Sequence, residues 1–106
     1  MARASQSVDI HKLILDSENL LRKTKQEIVE IKKEITRARK SVRTFEKLSH
    51  DTRYGKYYSH YLRSAREDLR GVEKREERLS LRQKEVRAVL KHARELAEGS
   101  SGEGSR

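Results

Sequence analysis

Nine basic side chains crowd into the middle of this 106-residue chain, between Thr36 and Arg66: Arg37, Arg39, Lys40, Arg43, Lys47, Arg53, Lys56, Arg63 and Arg66. Only Glu46 and Asp51 oppose them, so the stretch carries +7 of the chain's formal +9. The same stretch holds every Phe and Tyr of the chain: Phe45, Tyr54, Tyr57, Tyr58 and Tyr61. Lys and Arg displace counterions from a phosphate backbone, and exposed tyrosines give unpaired bases a surface to stack on. The chemistry on offer is therefore polyanion recognition. Arg39, Arg43, Arg53, Lys56, Arg63 and Arg66, with Tyr54 and Tyr57, are the candidate contacts. RNA, DNA, the acidic tail of a protein and anionic lipid headgroups all suit such a surface. The plainer alternative is a solvated basic patch in which tyrosines only close the end of a core.

Covalent and metal chemistry find little support. The chain has no cysteine, which removes disulfides, thiol nucleophiles and cysteine-ligated metals. His11, His50, His60 and His92 form no i,i+4 pair, so no helical metal site is expected. There is no Gly-rich phosphate loop, no HExxH motif and no Ser-His-Asp grouping. No catalytic residue, cofactor or metal is predicted, and the chain reads as non-enzymatic. The runs Arg22–Lys25 (RKTK) and Arg37–Lys40 (RARK) resemble nuclear-localisation clusters only loosely, as lysine-rich helices often do.

The elements that must position these residues are helices. Apolar content is 33% and charged content 41%, too lean for a thick core but enough for a seam between helices, which needs two apolar positions in seven. With Ile14 as position a, the a series is Ile14, Leu21, Ile28, Ile35 and Val42. The d series is Ile10, Ser17, Thr24, Ile31, Ala38 and Phe45, and nine of these eleven residues are apolar. After a break the repeat resumes with Leu62, Leu69, Glu76, Gln83, Leu90 and Ala97 at a, and Tyr58, Ala65, Val72, Leu79, Val86 and Ala93 at d. A strand would show period two, and this pattern does not.

The predicted organisation is a flexible N-terminus over residues 1–7, a helix over 8–49, a turn over 50–57, a helix over 58–98 and a disordered tail over 99–106. Ser7 is the expected N-cap of the first helix, with Asp9 in its first turn. Asp51 or Thr52 is placed to cap the second, and Gly99 to stop it. The fold class is all-α, a long antiparallel two-helix coiled-coil hairpin.

Folding back sets a of one helix against d of the other. Ile14 then meets Ala93, Leu21 meets Val86, Ile28 meets Leu79, Ile35 meets Val72, Val42 meets Ala65 and Phe45 meets Leu62. The flanking positions give four opposite-charge pairs in this register: Glu27–Arg82, Glu34–Arg75, Lys32–Glu73 and Glu18–Arg87. Three layers are polar or mixed: Thr24 with Gln83, Ile31 with Glu76 and Ser17 with Leu90. Arg39 falls opposite Arg66, a like-charge pair that invites an external anion.

Away from the turn, Leu13, Leu20, Val89 and Leu96 add a third apolar position per heptad. Two helices cannot cover such a stripe, and a third or fourth helix normally does. These four residues are the candidate protein interface, for a second copy that completes a four-helix bundle, hence a dimer, or for another protein. No apolar run reaches the ~20 residues of a membrane span, and the first residues lack a signal-peptide core. A soluble cytoplasmic or nuclear protein is the expected setting. The functional expectation is a coiled-coil assembly or adaptor protein with a basic, Tyr-rich turn facing an acidic partner. The alternative is an RNA- or DNA-binding hairpin.

Overall fold

The computed structural model describes residues 9–104, and side chains within 9–99. Two helices, α1 (Ile10–Ser49) and α2 (Gly55–Gly104), form an antiparallel helical hairpin. Packing divides it into two compact units. The turn unit is Gln26–Ser80; the terminal unit joins the described residues up to Lys25 to those from Leu81 onward. Among the described residues, no helix is long and apolar enough to cross a membrane.

The heptad reading locates the core in both units. Every a and d position from Ile10 to Ala97 that lies in a helix is buried or half-buried. In the turn unit Ile28, Ile31, Ile35, Val42, Leu62 and Ala65 are buried, with Phe45 and Leu69 packed against the cluster of Val42, Leu62 and Ala65. In the terminal unit Val86, Leu90 and Ala93 are buried, as are the polar Ser17 and Thr24. Thr24 is 1% exposed, and its Oγ1 donates to the Leu20 carbonyl at 2.8 Å. Its own helix satisfies it, and no described buried side-chain N or O lacks a partner.

The boundaries differ from the predicted ones in three places. Asp9 itself caps α1, its Oδ1 accepting from the Lys12 amide at 3.2 Å, so it stands before the first turn and not within it. Ser7, the expected cap, and the predicted flexible N-terminus lie outside the described residues. The connection is also shorter than the predicted turn over 50–57: α2 begins at Gly55, three residues before Tyr58. The Asp51 carboxylate explains this early start. Its Oδ1 accepts from the amides of Arg53 (2.7 Å) and Tyr54 (3.0 Å), occupying donors that a helix start leaves unpaired. Finally, α2 continues through Gly99 to Gly104, so the tail predicted to be disordered over 99–106 is helical as far as it is described. No glycine among the described residues adopts positive φ, so Gly99 does not form the left-handed turn that would end the helix.

Two glycines make opposite predictions. A Cβ on Gly55 would collide with the Ser49 carbonyl oxygen and lie 3.3 Å from its carbon, both backbone atoms. Close approach of the helix ends, not backbone conformation, demands glycine there. Gly55→Ala should lower stability by about 1–3 kcal/mol. A Cβ on Gly71, inside α2, meets nothing within 4 Å. Gly71→Ala should raise stability by about 1 kcal/mol. Thermal melts followed by circular dichroism check both, and equal shifts of the same sign would contradict the packing at the turn.

Candidate polyanion edge and apolar stripe

The turn unit holds all eight polyanion candidates. α1 closes with the Ser49 hydroxyl donating to the Glu46 carbonyl at 2.8 Å and the His50 and Asp51 amides donating to the carbonyls of Lys47 and Leu48. After the Asp51 cap, the Gly55 amide donates to the Asp51 carbonyl and the Tyr57 amide to the Tyr54 carbonyl, starting α2. This geometry presents Tyr54 and Tyr57 at the turn, 50% and 72% exposed, with ring centroids 6.4 Å apart. The Arg53 guanidinium lies 5.8 Å from the Tyr54 ring centroid, within cation–π range.

The helical wheel then places these residues on two edges. With Leu62 at a, Lys56, Arg63 and Arg70 take position b, and Ser59 and Arg66 take e. Tyr61 takes g and Tyr57 takes c, while Tyr54 stands in the turn before the helix. At 3.6 residues per turn the b/e and c/g directions lie about 150° apart around α2. Arg39 (e) and Arg43 (b) of α1 belong to the same edge as the α2 arginines. Ion pairs verify the two edges. Arg39 meets Glu73 at 3.9 Å and Arg66 meets Glu46 at 3.6 Å, both e to e, whereas Arg75 meets Glu34 at 3.4 Å, g to g. The b/e edge of the turn unit thus carries Arg39, Arg43, Arg63, Arg66 and Arg70, whereas Tyr57 and Tyr61 lie on the c/g edge, which also carries Arg37, Arg75 and Arg78.

These pairs also correct two expectations. Of the predicted flanking pairs that lie within one unit, Glu34–Arg75 forms; Lys32–Glu73 and Glu18–Arg87 are not within 4 Å among the described residues. Arg39 and Arg66 do not await an anion as an unopposed like-charge pair. Each reaches about one heptad along its partner helix to a carboxylate, a shift that long guanidinium side chains permit and that register alone does not reveal. Both contacts are exposed and longer than a charge-assisted hydrogen bond of ~2.8 Å, so they tether the guanidiniums weakly. Arg43, Arg63 and Arg70 make no ion pair within 4 Å among the described residues.

Two residues escaped the sequence reading. Arg70 lies beyond the stretch Thr36–Arg66, yet it repeats Arg63 at i+7 and lines a groove of about 480 Å³ with Ser59, Leu62, Arg63, Arg66 and one carboxylate, Glu67. The i+7 spacing was the available signal. Tyr61, one of the tyrosines that the plainer alternative uses to close the end of the core, stacks on Phe45 at 5.7 Å and 18° but stays 55% exposed. Its g position, outside the seam, was the clue.

The terminal unit holds the four interface candidates. Leu20, Val89 and Leu96 are 42%, 47% and 44% exposed, and Leu13 is half-buried. They occupy g on both helices, the row that carries Glu34 and Arg75 in the turn unit. No group of three metal-ligating side chains occurs among the described residues.

No family model, curated protein or solved structure matches this chain.

Proposed function

We propose that the chain is a non-enzymatic assembly or adaptor protein, a helical hairpin that associates through the apolar row of its terminal unit and offers its basic turn to an acidic partner. The observation that carries this reading is the exposure of Leu20, Val89 and Leu96 in one row beside a seam already complete without them. A second copy is the simplest cover. A two-fold rotation sets the row against itself and turns two helices into four, the arrangement for which a third apolar position per heptad is suited.

Sedimentation equilibrium tests it. The wild type should sediment as a dimer, and Leu20→Lys combined with Leu96→Lys should give monomers that remain helical. Both side chains already stand in solvent, so the substitutions spare the seam. A wild type that is monomeric at every concentration would overturn self-association.

The second reading, a nucleic-acid-binding hairpin, is favoured by one observation: Arg39, Arg43, Arg63, Arg66 and Arg70 share the b/e edge of the turn unit, and the planar fork of arginine matches phosphate bidentately. It places the polyanion contact at Arg39, Arg43, Arg63 and Arg66, with Arg53, Lys56, Tyr54 and Tyr57 around the turn.

A further inference from the structure

We propose that the acidic partner of the turn unit is the phosphodiester backbone of duplex DNA, held along the arginine edge without stacking of bases on the tyrosines. The inference rests on reading the turn as a polyanion surface, and it names the ligand. Its basis is the division of the turn unit into two edges. A single strand bound in the usual way lays its phosphates in a basic groove while its bases stack on aromatic rings beside that groove. Here Lys56, Arg63, Arg66 and Arg70 follow one edge of α2, and Tyr57 and Tyr61 follow another about 150° away, while Tyr54 precedes the helix in the turn beside Arg53. One strand cannot use both edges at once. A ligand whose bases are already paired and stacked needs only the arginines.

Dimensions fit the duplex. Lys56 to Arg70 covers about 21 Å of helix at 1.5 Å per residue. B-form DNA presents a charge every ~1.7 Å of its axis, so several phosphates fall within that length. Arg63 and Arg70, about 10.5 Å apart along α2, match phosphates on either side of a major groove ~12 Å wide. Arg39 and Arg43 add charge from α1 on the same edge. Glu46 and Glu73 hold Arg66 and Arg39 at 3.6 and 3.9 Å, loosely enough for a phosphate oxygen to replace them. An acidic peptide lacks a fixed lattice of charges at this spacing, which is why DNA is preferred to it.

Fluorescence anisotropy with a labelled DNA duplex of about two helical turns, titrated between about 50 and 200 mM salt, provides the test. The full chain should bind the duplex more tightly than either of its single strands. Arg63→Gln, Arg66→Gln and Arg70→Gln together should weaken binding by on the order of tenfold or more and reduce the salt slope by about 2.7, three phosphate contacts at 0.9 each. Tyr54→Ala with Tyr57→Ala should change duplex affinity less than twofold. Circular dichroism and sedimentation should be unchanged in both variants, because all five side chains are exposed.

Tighter binding of a single strand, or a loss in the tyrosine variant equal to that in the arginine variant, would overturn the inference. So would preferential binding of an RNA duplex or of poly-glutamate, each of which would leave the turn a polyanion surface for a different ligand. Failure to bind any of these probes at low salt would remove the polyanion reading itself.

Discussion

Ile31→Ala and Leu90→Ala are each expected to destabilise the hairpin by about 2–5 kcal/mol. Ile31 is 2% exposed and Leu90 4% exposed, the best-covered large aliphatic side chains of their respective units. Each loss combines the transfer free energy of the deleted methyl groups with the cavity left behind. A two-helix seam is open along both edges, so it can partly collapse on the vacancy, and the lower half of that range is favoured. Against a total stability of ~5–15 kcal/mol for an ordinary domain, this is a large fraction. Leu15→Ala is the matched control. Leu15 is 58% exposed at a b position, and its truncation should stay within about 0.5 kcal/mol. Chemical denaturation of the three variants decides it, and a control as damaging as Ile31→Ala would contradict the seam.

Thr24→Val combined with Gln83→Leu should act in the opposite direction, raising stability by about 2 kcal/mol. Thr24 is 1% exposed and spends its hydroxyl on the Leu20 carbonyl, a group its own helix already pairs. An isosteric methyl loses no obligatory hydrogen bond and gains apolar contact. Gln83, half-buried opposite it in the register, contributes no apolar burial at its amide. The same change should loosen alignment, because a polar layer excludes registers and oligomers that a uniform apolar seam accepts. A higher melting temperature together with additional species in sedimentation is the expected outcome. A lower melting temperature would show that this layer stabilises the terminal unit outright.

Much of the fold was legible because a two-helix seam is written in one dimension. Position in the heptad decides burial, and all a and d residues from Ile10 to Ala97 fall on the covered side, including the polar Ser17, Thr24 and Glu76. Chain ends and turns were less legible because local hydrogen bonding sets them. Asp51 starts α2 at Gly55 by accepting two amides, and a propensity-based turn over 50–57 overlooks how few residues that arrangement needs. Gly99 shows the converse: glycine permits a left-handed stop but does not compel one. The ion pairs were legible only for Glu34–Arg75. Arg39 and Arg66 choose carboxylates by side-chain reach, which residue spacing does not encode.

The candidate surfaces divide in the same manner. The apolar row at Leu13, Leu20, Val89 and Leu96 follows directly from the heptad, and these residues lie in one unit as expected. The basic turn was visible as composition. Its separation into a b/e edge of arginines and a c/g edge bearing Tyr57 and Tyr61 was not, because the sequence stretch was treated as one cluster before its wheel positions were resolved. The proposed duplex contact uses the arginines of the b/e edge without an aromatic partner.

The proposed association of two copies through the apolar row is tested most directly by disulfide trapping, which the absence of cysteine makes clean. The single substitutions Leu13→Cys, Leu20→Cys, Val89→Cys and Leu96→Cys sample the row, and the one nearest the two-fold axis should form covalent dimers rapidly at low protein concentration without loss of helicity, while Asn19→Cys, turned away from the row, should not. Equal trapping at Asn19→Cys, or none at any of the four row positions, would contradict association through this row.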